Sequence, residues 1–252
     1  MMLYSFGSIG TFKLRIRGVF LTYLAIIPAR GGSKGIPQKN LVNLKGNPLL
    51  YYAIKVAEGI QSIKEVTVSS DDDKILSVAT QYGAFPLKRP IELSLDSTLT
   101  SEVIHHTIVQ RARELDFQHI ILLQPTSPLR TKNDVEEAIK IYEADTSCDA
   151  LISVYKPSEH PFKGFVLTPQ NKLEGYFSLK APFSRRQDLP EIYMPNGAIY
   201  IFSVEKFMKE KIIPQTNIIP YIMPAEKSID IDTFSDLEIA EVMMRKYDET
   251  RN

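Results

Sequence analysis

The feature that most restricts this chain is a repeated exchange of two periodicities. Short strand-like runs fall at residues 23–27, 65–69, 119–123 and 150–154. Stretches with helical spacing lie between them, at 48–60, 72–82, 101–115 and 131–144. The run at 23–27 and residues 120–123 of the later run are apolar throughout, the pattern of strands covered on both faces. This order predicts an α/β fold, a mostly parallel Rossmann-like sheet with helices on both faces. Pro48 is placed in the first turn of its helix. Asp72 and Asp73 open the next one, and Gly83 ends it. Thr131 and Asp134 have capping-box spacing. In such a sheet ligands bind beyond the carboxyl ends of the strands. That points to the loops after Ile27, Ser69 and Leu123.

The pattern breaks between 155 and 195, where periodicity is weak and six prolines occur. We read 155–195 as an arm inserted at one edge of the sheet and used for oligomerisation. Beyond it come a strand at 197–202, a short helix from Val204, a strand at 218–223, and a last helix at 235–245. Ser235 and Glu238 are its expected capping box. At 252 residues the chain is long enough for one to two domains with a substantial core. We divide it into a loose N-terminal extension, 1–20, and a catalytic domain, 21–252, that carries the arm.

Thirty Lys and Arg balance thirty Asp and Glu. A neutral chain has no bulk electrostatic footprint for nucleic acid or an anionic membrane, so any anion site must be a local cluster. The single cysteine, Cys148, excludes an internal disulfide and a cysteine-based zinc site, and suits a reducing compartment. Lys13, Arg15 and Arg17 ahead of the apolar residues 19–27 imitate a signal peptide. That stretch is too short to span a membrane and runs directly into Pro28-Ala-Arg-Gly-Gly-Ser-Lys. A cytoplasmic protein is therefore expected.

Four segments could carry chemistry. In the loop 29–40, Arg30, Lys34 and Lys39 surround Gly31, Gly32 and Ser33. Cations and consecutive backbone amides on a glycine-rich loop make an anion site of triphosphate size. The glycine spacing is neither that of a Walker A loop nor G-x-G-x-x-G. In the loop 124–130, Gln124 offers a side-chain amide, and Arg130 a structural clamp or an anion contact. Asp230 and Asp232 have i, i+2 spacing, so in an extended segment both carboxylates point one way. Such a pair suits a hard divalent cation that also touches substrate phosphates. Asn196-Gly-Ala-Ile-Tyr200 reads as a turn entering a strand. Arg89, Lys163, Arg185 and Arg186 are further candidate anion contacts.

Together these segments resemble the acylneuraminate cytidylyltransferase family, the CMP-sialic acid synthetases. The resemblance covers about 23–244 and rests on four motifs in the family's order. They are Ile27-Pro-Ala-Arg-Gly-Gly-Ser-Lys-Gly-Ile-Pro-Gln-Lys-Asn40, Leu123-Gln-Pro-Thr-Ser-Pro-Leu-Arg130, Pro195-Asn-Gly-Ala-Ile-Tyr200 and Ser228-Ile-Asp-Ile-Asp232. It implies transfer of CMP from CTP to a nine-carbon 2-keto acid sugar, with release of pyrophosphate. It implies a CTP site at Arg30, Gly31, Gly32, Ser33, Lys34, Lys39 and Asn40, with Arg89 facing the cytosine. Gln124, Asn196 and Tyr200 would line the sugar, and Asp230 and Asp232 would hold Mg2+. Lys163 and Arg186 would reach the sugar from a partner subunit, making the protein a homodimer. Arg30 and Lys34 would stabilise developing charge. Asp232, or a magnesium-bound hydroxide that it orients, is the candidate base.

One position departs from the pattern. Met194 stands where relatives using N-acetylneuraminate often have Arg, so a less polar nonulosonate such as legionaminate is expected beside N-acetylneuraminate. Three other readings compete: a 3-deoxy-manno-octulosonate cytidylyltransferase, an Asp-x-Asp glycosyltransferase, and a non-catalytic nucleotide-binding protein.

Overall fold

A computed structural model describes residues 21–249, so the extension assigned to 1–20 lies outside the described residues. Strand β1 (Tyr23–Pro28) leads into the glycine-rich loop. A two-residue hairpin, β2 (Asn43–Leu44) and β3 (Asn47–Pro48), precedes helix α1 (Leu49–Lys55). Next come β4 (Ile63–Ser70), α2 (Asp73–Gln81), β5 (Phe85–Lys88) and α3 (Thr100–Arg111). Strand β6 (His119–Leu122), α4 (Lys132–Ala144) and β7 (Ala150–Tyr155) complete the alternation. The arm carries a short hairpin, β8 (Phe165–Leu167) and β9 (Leu173–Gly175). The chain returns through β10 (Met194–Ser203), α5 (Val204–Glu210), β11 (Ile218–Ile222) and α6 (Phe234–Glu249).

Seven strands form one sheet in the order β11-β7-β10-β6-β1-β4-β5. Neighbours are parallel except β10, which runs antiparallel to both β6 and β7. The reason β1 lacks polar alternation is visible in its two faces. Tyr23, Ala25 and Ile27 enter one core cluster with residues of α1, α2 and α4. Leu24 and Ile26 enter another with Ile104 and Ile108 of α3 and Phe207 of α5. Burying both faces of a strand requires an unbroken apolar run. The chain builds β4 and β5 on one side of β1, then crosses to β6 on the other. The carboxyl ends of β1 and β6 therefore meet at a topological switch point, where such sheets bind ligands.

Several expected boundaries move, each for a local reason. Pro48 belongs to β3 and is extended (φ −63°, ψ 146°), so α1 begins after it. The helix also stops at Lys55 instead of reaching 60. Beyond it Ala57 and Glu58 donate to Ile54 and Lys55 in tight turns, and Gly59 turns left-handed at φ +71°. The edge strand β5 is missing from the expected pattern because Pro86 interrupts its four residues. Thr131 and Asp134 form the expected capping box. The last helix starts earlier than expected, and its box is Thr233 with Asp236, not Ser235 with Glu238. The Asp236 amide donates to Thr233 Oγ1 (3.3 Å) and the Thr233 amide to Asp236 Oδ2 (2.7 Å). Asp236 Oδ2 also accepts from the Asp232 amide, and that second bond favours the earlier start.

The segment 155–195 is closed at its base by pairing of Tyr155 with Met194. Thr233→Ala should cost about 1 kcal/mol of stability in urea unfolding, whereas Ser235→Ala should stay within ~0.5 kcal/mol. The reverse ranking would restore the later helix start.

Candidate functional site

A cleft of about 390 Å³ opens at the switch point, lined by Arg30, Ser33, Lys34, Gly35, Lys39 and Asn40 of the loop after β1. Arg89, residues 93–96 and Thr98 form one wall, and Gln124, Pro125, Thr126 and Asp232 close the other side. Residues 30, 89, 124 and 232 come from four distant parts of the sequence.

The loop is held in place from behind. Asn40 is buried, and its amide nitrogen donates to the Arg30 carbonyl (2.9 Å), closing the loop on itself. Ile36 packs with Ile231 and with Leu237 and Ala240 of α6. Lys39 Nζ donates to the Ile231 carbonyl (2.8 Å) and to Asp232 Oδ1 (2.9 Å). The approach leaves no room for a side chain: a Cβ at Gly35 would overlap the carbonyl oxygen of Asp232. This tie brings the cations of the N-terminal loop to the carboxylates near the other end of the chain.

Each cation faces an internal anion. Arg30 Nη1 and Lys34 Nζ contact the two oxygens of Asp96, at 2.6 and 2.9 Å. These two bonds hold the Asp96 carboxyl below the usual carboxylate range. Arg89 is buried, donates from Nε to Ser94 Oγ (2.8 Å), and lies 3.9 Å from Asp71 Oδ1. Burial lowers its pKa, against the pull of Asp71. Asp71 accepts from the Gly31 amide (3.0 Å), so one amide of the expected anion nest is already engaged. Gly32 lies beside it in open space, with Ser33 on the cleft wall.

Asp230 and Asp232 flank Ile231, which is fully buried and donates its amide to the Thr126 carbonyl (2.9 Å). Partial burial and the negative charges of Asp232 and Asp236 push the Asp230 carboxyl above the usual range, against the Thr126 hydroxyl and Lys39. Such like-charge crowding is what a bound cation relieves. No cluster of three or more His, Cys, Asp or Glu that could hold a metal occurs among the described residues. Two carboxylates alone suit Mg2+, which takes its remaining ligands from water and substrate phosphates.

The remaining candidates separate. Gln124 lines the cleft and rests against Gly197, whose φ is +71° and where a Cβ would come within 2.6 Å of Gln124 Oε1. Arg130 is a structural clamp: buried, it donates from Nη1 to the carbonyls of Gln124 (2.7 Å) and Ala198 (3.1 Å). Tyr200 is half-buried on β10, packs against the cluster of Leu24 and Ile26, and does not line the cleft; burial and the charge of Asp230 raise its pKa. Asn196, expected against the sugar, is buried instead. Its Oδ1 accepts from Ser153 Oγ (2.6 Å) and the Ala198 amide (3.1 Å), and its Nδ2 meets Ser228 Oγ (2.9 Å) and Met223 Sδ (3.2 Å). Both donors and both acceptors are used, so it braces β7 and β10 behind the cleft. Lys163 and Arg186 lie on the arm and do not line the cleft; Arg186 donates to the carbonyls of Pro157 and Ser158. Sequence reasoning missed Asp71 and Asp96. Asp71 follows the carboxyl end of β4, where the strand-end rule already pointed, whereas nothing local marks Asp96.

The family model for cytidylyltransferases matches residues 24–244. The chain is 34% identical over 228 residues to the N-acylneuraminate cytidylyltransferase of Escherichia coli O18:K1:H7, covering 88% of this chain but 52% of that protein. It thus spans about half the length of that relative. It is 32% identical to the pseudaminic acid cytidylyltransferase of Campylobacter jejuni, covering 88% of this chain and 96% of that one. It is 34% identical to the CMP-N,N'-diacetyllegionaminic acid synthase of Legionella pneumophila, covering 88% and 95%. Among solved structures, CMP:2-keto-3-deoxy-manno-octonic acid synthetase complexed with CTP superposes with a TM-score of 0.68 at 18% identity, over 90% of this chain and 99% of that one. That likeness shows the shared fold.

If Asn196 is a brace, Asn196→Ala should cost about 3 kcal/mol of stability, because it strands buried partners on Ser153, Ser228 and the Ala198 amide. Urea unfolding measures it. An unchanged midpoint combined with lost sugar binding would return Asn196 to the sugar.

Proposed function

The chain belongs to the cytidylyltransferase family, and from that premise we propose that it transfers CMP from CTP to the anomeric hydroxyl of a nine-carbon 2-keto acid sugar, releasing pyrophosphate. The observation that carries this reading is the set of three loop cations, Arg30, Lys34 and Lys39, gathered at a switch-point cleft opposite Asp232. A phosphoryl-type transfer needs positioning and charge neutralisation more than covalent participation. Here the α-phosphorus is attacked by the sugar hydroxyl, the bond to the β-phosphate bridge breaks, and pyrophosphate carries away the charge. Arg30 and Lys34 sit where they can stabilise that charge. Buried Arg89, tied to Ser94, walls the position assigned to the cytosine. Asp232 is the proposed acceptor of the hydroxyl proton. Asp230 and Asp232 would hold Mg2+, which when bound would neutralise the triphosphate.

The relatives named for N-acylneuraminate, pseudaminic acid and diacetyllegionaminic acid support a nonulosonate substrate. Met194, at the start of β10, stands where the resemblance expects a charged Arg, which favours the less hydroxylated acids. The family sets the glycosyltransferase reading aside. A cytoplasmic location accords with one buried free cysteine. No helix among the described residues is long and apolar enough to cross a membrane.

The arm supports a homodimer. Leu167, Tyr176, Leu179 and Phe183 are 65–80% exposed on it, and Phe162 stacks on Phe177 beside them. Apolar side chains concentrated on one insertion mark an interaction surface. Lys163 and Arg186 on the same arm would then serve the partner's sugar site.

Pyrophosphate release from CTP and magnesium should occur with at least one of N-acetylneuraminate, legionaminate and pseudaminate, and fall by about 10²-fold or more in Asp232→Asn. Silence with all three, from protein that binds CTP, would overturn the substrate class. Leu179→Asp with Phe183→Asp should give a folded monomer in light scattering; an unchanged dimer would remove the arm from the interface.

A further inference from the structure

Asp96 stands apart from Asp232, the other carboxylate lining the cleft, and from Asp71 and Asp230 nearby in the chain's fixed frame. Asp71 is fixed by the Gly31 amide, and Asp230 and Asp232 flank buried Ile231. Asp96 is half-exposed on the cleft wall and touches the loop only through its two oxygens, one on Arg30 Nη1 and one on Lys34 Nζ. These are the two cations placed to receive phosphate oxygens. The wall is pinned at both ends. Ser94 Oγ accepts from Arg89 Nε, and the Leu99 amide donates to Glu102 Oε2. Between the pins the chain is shaped by short-range bonds, such as Thr98 N to the Leu95 carbonyl and Thr98 Oγ1 to the Glu92 carbonyl. It is therefore free of any ladder that would lock Asp96 in place.

We infer that Asp96 is an exchange residue for the nucleotide site: its carboxylate and the phosphate oxygens of the nucleotide compete for Arg30 and Lys34. The inference rests on the nucleotide reading given above. A carboxylate presents two oxygens to two donors, as a phosphate group does. Arg30 and Lys34 keep further N–H donors, but a carboxylate seated on Arg30 Nη1 and Lys34 Nζ repels a phosphate brought to the same two cations, so the two anions compete for one seat. Entry of CTP therefore moves the two cations from Asp96 to phosphate. Departure of pyrophosphate returns them, and the returning contact offsets the loss of the phosphate bonds. Asp96 so weakens ground-state binding of the triphosphate and eases release of the product anion. It acts on the two cations and never on the reacting atoms, which makes it a positioning residue.

The test compares CTP and inorganic pyrophosphate binding by calorimetry in the wild type, Asp96→Asn and Asp96→Glu. An exposed carboxylate holding two cations is modest in strength, so Asp96→Asn should bind both ligands roughly three- to tenfold more tightly. In turnover, its KM for CTP should fall and pyrophosphate should inhibit more strongly. Asp96→Glu keeps the anion and should stay near the wild type. Weaker or unchanged binding in Asp96→Asn, with the wild type binding CTP normally, would overturn the exchange role and leave the nucleotide site standing. A wild type that binds neither CTP nor pyrophosphate would overturn the nucleotide reading and the exchange with it.

Discussion

The site depends on one long-range docking, the seating of the loop after β1 against the segment that carries Asp230 and Asp232. Apolar contact and backbone hydrogen bonding do this together. Ile36 and Ile231 share a small core with α6, while Lys39 bonds the Ile231 carbonyl and Gly35 lets the two backbones touch. Without that contact the cations would belong to an ordinary surface loop and the two aspartates to an ordinary helix entrance. With it, groups nearly 200 residues apart face each other across one cleft. The parallel sheet makes this possible, because every loop at its carboxyl edge converges on the switch between β1 and β6.

The second constraint is electrostatic. The molecule is neutral overall, yet the cleft concentrates charge, and each of its cations is compensated from within the chain. Arg30 and Lys34 meet Asp96, Lys39 meets Asp232, and Arg89 lies near Asp71. The compensation differs in kind. Asp71 is fixed by a backbone amide and buried Arg89 by Ser94, so that pair shapes the wall. The Asp96 contacts are exposed and therefore cheap to exchange. A rigid frame with a few exchangeable contacts suits chemistry that positions and neutralises a polyanion.

What could be read from the sequence follows the strength of the physical signal. Strands covered on both faces announce themselves as unbroken apolar runs, and β1 and β6 do so. The loop 29–40 brings Arg30, Ser33, Lys34 and Lys39 to one cleft, because a strand-end loop in this fold has one place to go. Capping boxes are weaker signals. Thr233/Asp236 and Ser235/Glu238 have the same spacing, and only the extra bond from the Asp232 amide decides between them. Strand β5 and the hairpin β8–β9 are too short to carry a period. Asn196 shows the limit of resemblance. A motif identifies which residue is special, but only the surrounding hydroxyls of Ser153 and Ser228 reveal that its amide is spent on the fold. Asp96 was invisible because a lone acidic residue in a bend looks like any solvated charge until Arg30 and Lys34 are placed beside it.

The central claim is that the loop cations and the Asp230–Asp232 segment enclose one nucleoside triphosphate. A crystal structure of the chain grown with CTP and magnesium tests it most directly. The account predicts the triphosphate against Arg30, Lys34 and Lys39, the cytosine beside Arg89, and density for a cation at Asp230 and Asp232. CTP bound elsewhere, such as the cavity lined by Tyr51, Tyr52 and Lys227 on another face, would contradict it.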